Sequence, residues 1–284
     1  IHDHGRIKEL SDVDFELLGL NQEAPKMYDG TSPHRHTFFE LFIFRSAGTF
    51  HEIDFKKFPV NQYSIHFVAP LQVHKLQHGK AKGLLFCFNE SLFRRADKKS
   101  TGEVFPFYAI NADKPFIDLS KKDFDEMMVL VNLVVKEYDS VSEARFEVIS
   151  SLMNVFLNKL KEKYAEERPQ VARKTSGKNP AVLDFLQKIE RDYLLHAAVS
   201  DYAEQLNLSP NYLNALCKKE LGTTAVSLIQ ERMALEAKRM LYSTTLSVKE
   251  ISLQLNFEDT SYFNRFFKKL TGQTPLYFRQ SAGK

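Results

Sequence analysis

Short apolar runs separated by turn residues fill the chain from about residue 34 to residue 90. Four aromatic and β-branched runs occupy residues 38–44, 50–55, 63–68 and 84–88. Glycine and proline stand between them, as at Gly48, Pro59 and Pro70. Runs of this composition and spacing are typical of antiparallel strands. The pattern predicts a compact barrel or sandwich in this region.

From about residue 120 the spacing of the apolar residues changes to that of a helix. Two segments have apolar residues at helical spacing, with a polar break at 139–142 between them. The apolar positions are Phe124, Met127, Met128, Val131, Leu133 and Val134 in the first segment, and Phe146, Ile149, Leu152, Met153, Phe156, Leu157 and Leu160 in the second. The pattern predicts a helical hairpin whose apolar faces pack on the strands or on a second subunit.

A polar stretch without periodicity follows the hairpin. Residues 166–179 include Pro169 and Gly177, which favours a linker. From Pro180 onwards the pattern predicts helices only. The predicted fold class is therefore α+β multidomain, with a sheet domain at 1–120, the hairpin at 121–165, the linker at 166–179 and an all-α domain at 180–284.

Composition narrows the class of protein. A chain of 284 residues with 43% hydrophobic content suffices for about two domains with sizeable cores. Residues 171–284 have 16 Lys+Arg against 11 Asp+Glu, whereas residues 1–170 have 23 against 25. The positive excess in the C-terminal part favours a polyanionic partner there.

Other features of the composition bear on location and redox state. No apolar run reaches the roughly 18 residues of a membrane span and no signal peptide opens the chain, so we expect a cytoplasmic protein without membrane contact. Cys87 and Cys217 lie in apolar contexts and are interpreted as core thiols. The chain begins at Ile1 without an initiating methionine, which indicates a fragment.

One sequence unit occurs twice in the C-terminal region. Residues 199–208 correspond to 248–257 and residues 212–222 to 262–272, with one residue inserted between the halves. Each copy has the pattern of a short helix, a tight turn and a longer basic helix, which is typical of a helix-turn-helix. The segment from 224 to about 242 would form about 28 Å of helix, similar to the roughly 34 Å between successive major grooves on one face of B-DNA. The repeat therefore predicts a clamp for two adjacent grooves.

Capping residues mark the helix ends within the repeat. Ser247 and Glu250 form a capping box, and Ser209 precedes Pro210 in the order typical of an N-cap and first helical residue. Asp259 is the counterpart of Ser209. The predicted C-terminal stops of the longer helices are Gly222 and Gly272.

The longer helix of each unit has a polar face opposite its apolar one. The candidate reading residues are Asn211, Asn214, Ala215 and Lys218 in the first unit, and Thr260, Ser261, Asn264, Arg265 and Lys268 in the second. Asn pairs with adenine and Arg with guanine through two hydrogen bonds, so Asn214 and Arg265 are predicted to contact bases. The lysines at 218, 219, 268 and 269 suit phosphates. The alternative is an ordinary solvated face, but repetition on two capped helix pairs favours DNA.

A family resemblance becomes specific across the joining segment and the second unit. Its residues are Ile229, Glu231, Arg232, residues 235–241, Val248 to Ile251, residues 256–263, Arg265 to Lys269, Gly272, Thr274, Pro275, Phe278 and Arg279. From Ala181 to Arg279 the chain resembles the AraC (arabinose-operon regulator) family of bacterial transcription factors. The departures are Cys217, Ser252 and Asn256, where the family usually has Phe, Ala and Gly. Ala215 also stands where the family often has a longer reading side chain.

A histidine cluster in the sheet domain is the second candidate site. His34, His36, Glu40 and a later His74 resemble the metal motif of cupins, with ligand types that suit Fe, Mn, Ni or Zn. However, the spacing after Pro70 is one residue shorter than in cupins. The AraC resemblance also implies an N-terminal cupin-like barrel in which the stretch at 33–41 needs no metal. We therefore expect no metal and interpret His36, Glu40, His51 and His74 as candidates for binding a polar effector.

The predicted function is sequence-specific DNA binding in transcription regulation, in response to a small-molecule effector such as a sugar in the barrel. The expected partners are double-stranded promoter DNA, the effector and a second copy of the chain. The resemblance adds RNA polymerase and, frequently, activation.

We expect no catalytic residues and no cofactor, because neither a Ser/His/Asp nor a phosphate-loop motif is present. Two alternatives stay open. One is a metal-dependent cupin enzyme with a DNA-binding tail, using His34, His36, Glu40 and His74. The other is an effector-independent dimeric regulator.

Overall fold

The computed structural model describes residues 15–20, 30–77, 79–93, 101–109, 112, 114–167, 179–195 and 198–282. The chain folds into two compact units that divide between residues 169 and 170. Strands belong to the N-terminal unit, and the described part of the C-terminal unit is helical. No helix among these residues is long and apolar enough to cross a membrane.

In the described part of the N-terminal unit, eight strands form two antiparallel sheets. They are β1 (Phe15–Leu20), β2 (Phe39–Phe44), β3 (Phe50–Ile53), β4 (Lys56–Pro59), β5 (Ser64–Val68), β6 (His74–Gln77), β7 (Gly83–Phe88) and β8 (Phe116–Asp118). The larger sheet has the order β1-β7-β2-β5-β8 and the smaller one β4-β3-β6. An isolated bridge pairs His34, ahead of β2, with His74 at the start of β6. The predicted barrel is not shown by these pairings, which define two sheets.

The strands of β2, β3, β5 and β7 lie in the regions predicted to be extended. The other four strands were not predicted. Three are very short or polar, namely β8 with three residues, β4 with the sequence Lys-Lys-Phe-Pro and β6 with the sequence His-Lys-Leu-Gln. The fourth, β1, is buried at all six residues and so lacks strand alternation.

The larger sheet is covered on both faces. Phe39, Leu41 and Ile43 of β2 belong to a core that also contains the buried side of the helical hairpin. Phe42 and Phe44 belong to a second core shared with residues of the smaller sheet. Side chains alternate along a strand, so Glu40 lies on the same face as Phe42. A carboxylate is therefore placed between the two sheets.

After the helical turn α1 (Thr101–Val104), the hairpin consists of α2 (Lys121–Tyr138) and α3 (Arg145–Glu167). One face of each helix packs against the larger sheet. Two positions predicted to be apolar contacts are partly exposed instead, Leu133 by 46% and Phe146 by 40%. Since α3 continues through Glu167, it extends two residues into the predicted linker. Residues 168–178 lie outside the described residues.

The C-terminal unit shows the repeat as matched helices. Its helices are α4 (Pro180–Asp192), α5 (Val199–Gln205), α6 (Pro210–Leu221), α7 (Ala225–Ser243), α8 (Val248–Gln254), α9 (Thr260–Thr271) and α10 (Pro275–Ala282). The short helices α5 and α8 both have seven residues, and the longer helices α6 and α9 both have twelve. The joining helix α7 has nineteen residues. Two helix-turn-helix units are therefore present.

Candidate functional site

The predicted caps hold both longer helices in place. The Ser209 hydroxyl accepts a hydrogen bond from the Tyr212 N–H at 3.2 Å, and the Asp259 carboxylate accepts one from the corresponding Tyr262 N–H at 2.9 Å. The Ser247–Glu250 capping box is confirmed. Both longer helices end at a left-handed glycine, with φ of 74° and 79°. The two longer helices therefore both begin with a side-chain cap and end at a left-handed glycine.

The turn of each unit depends on an asparagine in the left-handed region. Asn207 and Asn256 have φ of 54° and 59°. In both turns the next N–H returns to the short helix, from Leu208 to the Ala203 oxygen at 2.8 Å and from Phe257 to Ser252 at 2.9 Å. Asn is among the non-glycine residues that tolerate this conformation best. Asn256, which departs from the glycine usual in the AraC family, therefore has a counterpart in Asn207 of the first unit.

Six of the nine predicted reading residues are exposed. They are Asn211, Ala215, Lys218, Ser261, Arg265 and Lys268. Asn214, Thr260 and Asn264 are half-buried instead. The outward face of each longer helix is therefore narrower than the sequence pattern predicted.

Asn214 makes two hydrogen bonds to the backbone. Its Nδ2 donates to the Pro210 oxygen at 3.2 Å, and its Oδ1 accepts from the Ala225 N–H at 3.1 Å, at the first residue of α7. Recognition of adenine uses both ends of the same amide. The predicted role of Asn214 as a base reader therefore competes with its role in joining α6 to α7.

Asn264 has only half of this arrangement. Its Nδ2 donates to the Thr260 oxygen at 2.9 Å. The residue that corresponds to Ala225 is Pro275, which has no N–H to donate. Thr260 also faces inwards, since its hydroxyl lies 3.1 Å from that of Ser252 in α8. Both residues have structural contacts within the second unit.

Two tyrosines that are not among the predicted reading residues belong to the exposed face. Tyr212 and Tyr262 are 52% and 53% exposed, in the first turn of α6 and of α9. Their corresponding positions in the two copies of the repeat are the sequence feature that could have identified them. Lys219 and Lys269 are also exposed, in the last turns. Each longer helix thus has an aromatic N-terminal end and a basic C-terminal end.

Arg265 is the exposed cation nearest the start of α9. Hydrogen bonds from the backbone N–H groups of Ser261 and Tyr262, followed by the charge of Arg265, lower the pKa of Asp259. Arg265 makes no hydrogen bond or ion pair with any residue that the structure describes. Its guanidinium is therefore available to an external acceptor.

A buried ion-pair network ties the joining helix to α4. Arg232 of α7 donates through Nε to Glu190 at 2.6 Å and through Nη1 to Glu236 at 3.3 Å. Its guanidinium lies 3.8 Å from the centre of the Tyr193 ring. Burial alone would lower the pKa of Arg232, but the charge of Glu190 raises it. The guanidinium stays charged inside the domain.

The four effector candidates meet between the two sheets. His36 Nε2 lies 2.9 Å from His74 Nε2 and 3.1 Å from Glu40 Oε1. His74 Nε2 is 3.2 Å from Glu40 Oε2, and its Nδ1 is 3.0 Å from His51 Nε2. All four residues are at most 6% exposed. They contact one another and do not form an open surface.

Burial keeps several of these rings neutral. Burial, followed by the neighbouring histidines, lowers the pKa of His51 and of His74 well below that of a free imidazole. Burial and the charge of Lys114 lower the pKa of His66 to about 3. Burial and the nearby Glu40 raise the pKa of the Cys87 thiol. Both cysteines are free and buried, as predicted.

Comparison with known proteins assigns the helical repeat. Residues 202–281 match the family model described as a helix-turn-helix domain. The arabinose operon regulatory protein of Salmonella typhimurium is 32% identical over 84 residues. The C-terminal unit is therefore an AraC-type helix-turn-helix domain. The chain is an AraC-type, DNA-binding transcription regulator with a β-rich N-terminal domain.

Other relatives show the extent of the similarity. The uncharacterized HTH-type transcriptional regulator YfiF of Bacillus subtilis is 24% identical over 250 residues, which span 87% of this chain and 78% of YfiF. The arabinose regulator match spans 30% of each chain. The bifunctional transcriptional activator/DNA repair enzyme AdaA of Bacillus subtilis is 32% identical over 33% of this chain and 44% of AdaA. These relatives are transcription regulators, and one of them is also an enzyme.

Proposed function

We propose that this AraC-family regulator reads promoter sequence mainly through α9, while α6 mainly positions the protein on the DNA. One observation carries the proposal. Ala215 and Arg265 occupy corresponding positions in two twelve-residue helices, each with a side-chain N-cap and a left-handed glycine at its C-terminal end. Because the two helices match in length and in their ends, we expect the difference between Ala215 and Arg265 to produce a difference in base recognition.

The chemistry of the two side chains supports this division. An arginine donates two hydrogen bonds to guanine in the major groove, which contributes about 1–3 kcal/mol of discrimination. An alanine offers only apolar contact, as with a thymine methyl group. The lysines at 218, 219, 268 and 269 contribute to affinity for any sequence through phosphates.

The test measures binding of the full chain to a selected site and to a scrambled duplex by fluorescence anisotropy at several salt concentrations. Arg265→Ala should weaken binding to the selected site by about 5- to 150-fold, with a much smaller loss on scrambled DNA. Lys268→Ala should weaken both duplexes similarly and reduce the salt slope by about one unit. Lys161→Ala, at an exposed position of α3, is the matched charge control. Equal losses of Arg265→Ala on both duplexes would overturn the assignment.

We also propose that a second copy of the chain covers the outer face of the hairpin. Val129 and Leu133 of α2 are 61% and 46% exposed, and Val148 and Val155 of α3 are 38% and 47% exposed. The same apolar patch on two copies is self-complementary in a twofold dimer. Leu133→Glu should shift the sedimentation of the full chain towards the monomer, whereas Asn132→Asp should not. A dimer that survives Leu133→Glu unchanged would refute this interface.

The response to a small molecule is part of the same proposal. An effector acts only through different affinities for two states of the protein. Sugars are the first class to test, because one relative is an arabinose operon regulatory protein. Thermal shift against sugars and other metabolites, followed by transcription with RNA polymerase, tests the response. A flat panel would favour an effector-independent regulator.

A further inference from the structure

Three side chains of metal-ligand type meet inside the N-terminal unit at hydrogen-bond distances. His36, His74 and Glu40 bring two Nε2 atoms and two carboxylate oxygens within 2.9–3.2 Å of one another. Their side chains are at most 2% exposed. His34 also presents a ring nitrogen, and the ligand atoms of the three histidines lie within 4.8 Å of one another.

Hydrogen bonds on the far side of the rings indicate where the protons are. The Nδ1 of His36 faces the Phe38 carbonyl oxygen at 3.3 Å, and the Nδ1 of His34 faces that of Ser32 at 2.8 Å. A carbonyl only accepts, so each Nδ1 must donate. In a neutral imidazole the other nitrogen then has a lone pair. The Nε2 of His36 therefore points a lone pair at a carboxylate oxygen 3.1 Å away.

The carboxylate of Glu40 has few hydrogen-bond donors among the residues that the structure describes. Its Oε2 is buried and accepts no hydrogen bond from the described residues. Its Oε1 has only a weak contact from the Cys87 thiol at 3.9 Å, besides the histidine. A buried carboxylate without donors is strongly unfavourable unless a positive charge lies beside it. A metal ion bound among these atoms would supply that charge.

The distances select the kind of cation. With metal–ligand bonds of about 2.1 Å, neighbouring ligands are about 3.0 Å apart in an octahedron and about 3.4 Å apart in a tetrahedron. The three separations of 2.9, 3.1 and 3.2 Å match the octahedral spacing more closely. We propose that His36, His74 and Glu40 bind one six-coordinate divalent transition-metal ion, with His34 beside them as a candidate further ligand.

The outer contacts and the fold support this site. The backbone carbonyls that hold His34 and His36, and the His51 ring beside His74, orient the ligands as outer partners do at metal sites. Glu40 belongs to β2 of the larger sheet, while His74 begins β6 of the smaller one. One ion would therefore join the two sheets. This proposal departs from the metal-free site predicted from the sequence.

The experiment uses the full chain, stripped with chelator and titrated with cobalt(II). The expected result is close to one bound ion per chain, with the weak visible absorption of six-coordinate cobalt. Thermal unfolding of the N-terminal unit should also shift to higher temperature, because the ion bridges its sheets. Neither readout depends on DNA binding, so failure here leaves the proposed function intact.

Variants separate this site from adventitious binding. Glu40→Gln keeps the shape of the side chain but removes its charge, and it should lower cobalt affinity at least tenfold. His66→Gln is the matched control, since His66 is buried in the same unit but lies outside the ligand set. Folding of each variant is checked by circular dichroism. The proposal is overturned if folded wild-type chain binds less than about a tenth of an equivalent, or if folded Glu40→Gln binds cobalt as tightly as the control.

Discussion

Asn214 and Asn264 occupy the same position in two matched units, yet they should differ in their contribution to stability. Asn214→Ala removes two hydrogen bonds, one to Pro210 and one from Ala225, whereas Asn264→Ala removes one. A net hydrogen bond stabilises by about 1 kcal/mol, so the losses are about 2 and about 1 kcal/mol. Alanine regains about 0.5 kcal/mol of helix propensity at both sites. The expected costs are therefore about 1.5 and about 0.5 kcal/mol, with a difference near 1 kcal/mol.

Urea unfolding of the full chain, followed by the helix signal in circular dichroism, measures both costs. Pro275→Ala supplies the sharper control, because it restores an N–H opposite Asn264. In that background the cost of Asn264→Ala should rise by about 1 kcal/mol. Equal costs for Asn214→Ala and Asn264→Ala, together with no change in the Pro275→Ala background, would refute the reasoning. A loss of base preference without loss of stability in Asn214→Ala would return that residue to the reading face.

Three further changes test other parts of the molecule, each by urea unfolding. A Cβ on Gly83 would lie 1.9 Å from the Ile43 carbonyl oxygen. Gly83→Ala should therefore lower the free energy of unfolding by about 3 kcal/mol or more. A loss below about 1 kcal/mol would show that β7 and β2 can move apart at little cost. Burial lowers the pKa of His66 to about 3, so the unfolded chain binds a proton at this residue more readily than the folded chain does. The contribution of His66 to the free energy of unfolding is therefore complete above a pH of about 6.5 and falls as the pH drops below that value. Between a pH of about 7.5 and about 5.5 this residue should cost about 1.4 kcal/mol, and His66→Leu should lose that much less than the wild type, whereas identical pH dependences would contradict the buried neutral ring. Arg232→Met removes a guanidinium that donates to the buried Glu236 and should cost about 3–5 kcal/mol, whereas a neutral result would show that the network is dispensable.

The repeat could be predicted in detail because its signals are local. Ser209, Asp259 and the glycines at 222 and 272 act on backbone groups within four residues. A single sequence contains all the information that such caps need. The inward turn of Asn214 was not predictable in this way, because its partner Ala225 lies eleven residues away in the next helix.

The N-terminal unit was less predictable because its contacts are distant in sequence. The residue types at 34, 36, 40 and 74 indicated a common site, and the structure does bring them together. Their convergence depends on β2 and β6 belonging to different sheets, which no local pattern encodes. The strand β1 pairs with β7, and its Phe15 lies opposite Phe88, more than seventy residues later. Pairings of this kind are decided by the whole core.

The joining helix α7 also limits how the binding site on DNA can evolve. Each residue added to a helix advances its end by about 1.5 Å and rotates it by about 100°. A one-residue insertion in α7 would turn α9 away from the groove, while seven residues would restore its direction after about two turns. The buried Arg232 and Glu236 add a second restriction, since they must keep their positions against α4. Descendants of this chain should therefore change which bases they read far more readily than how far apart the two half-sites lie.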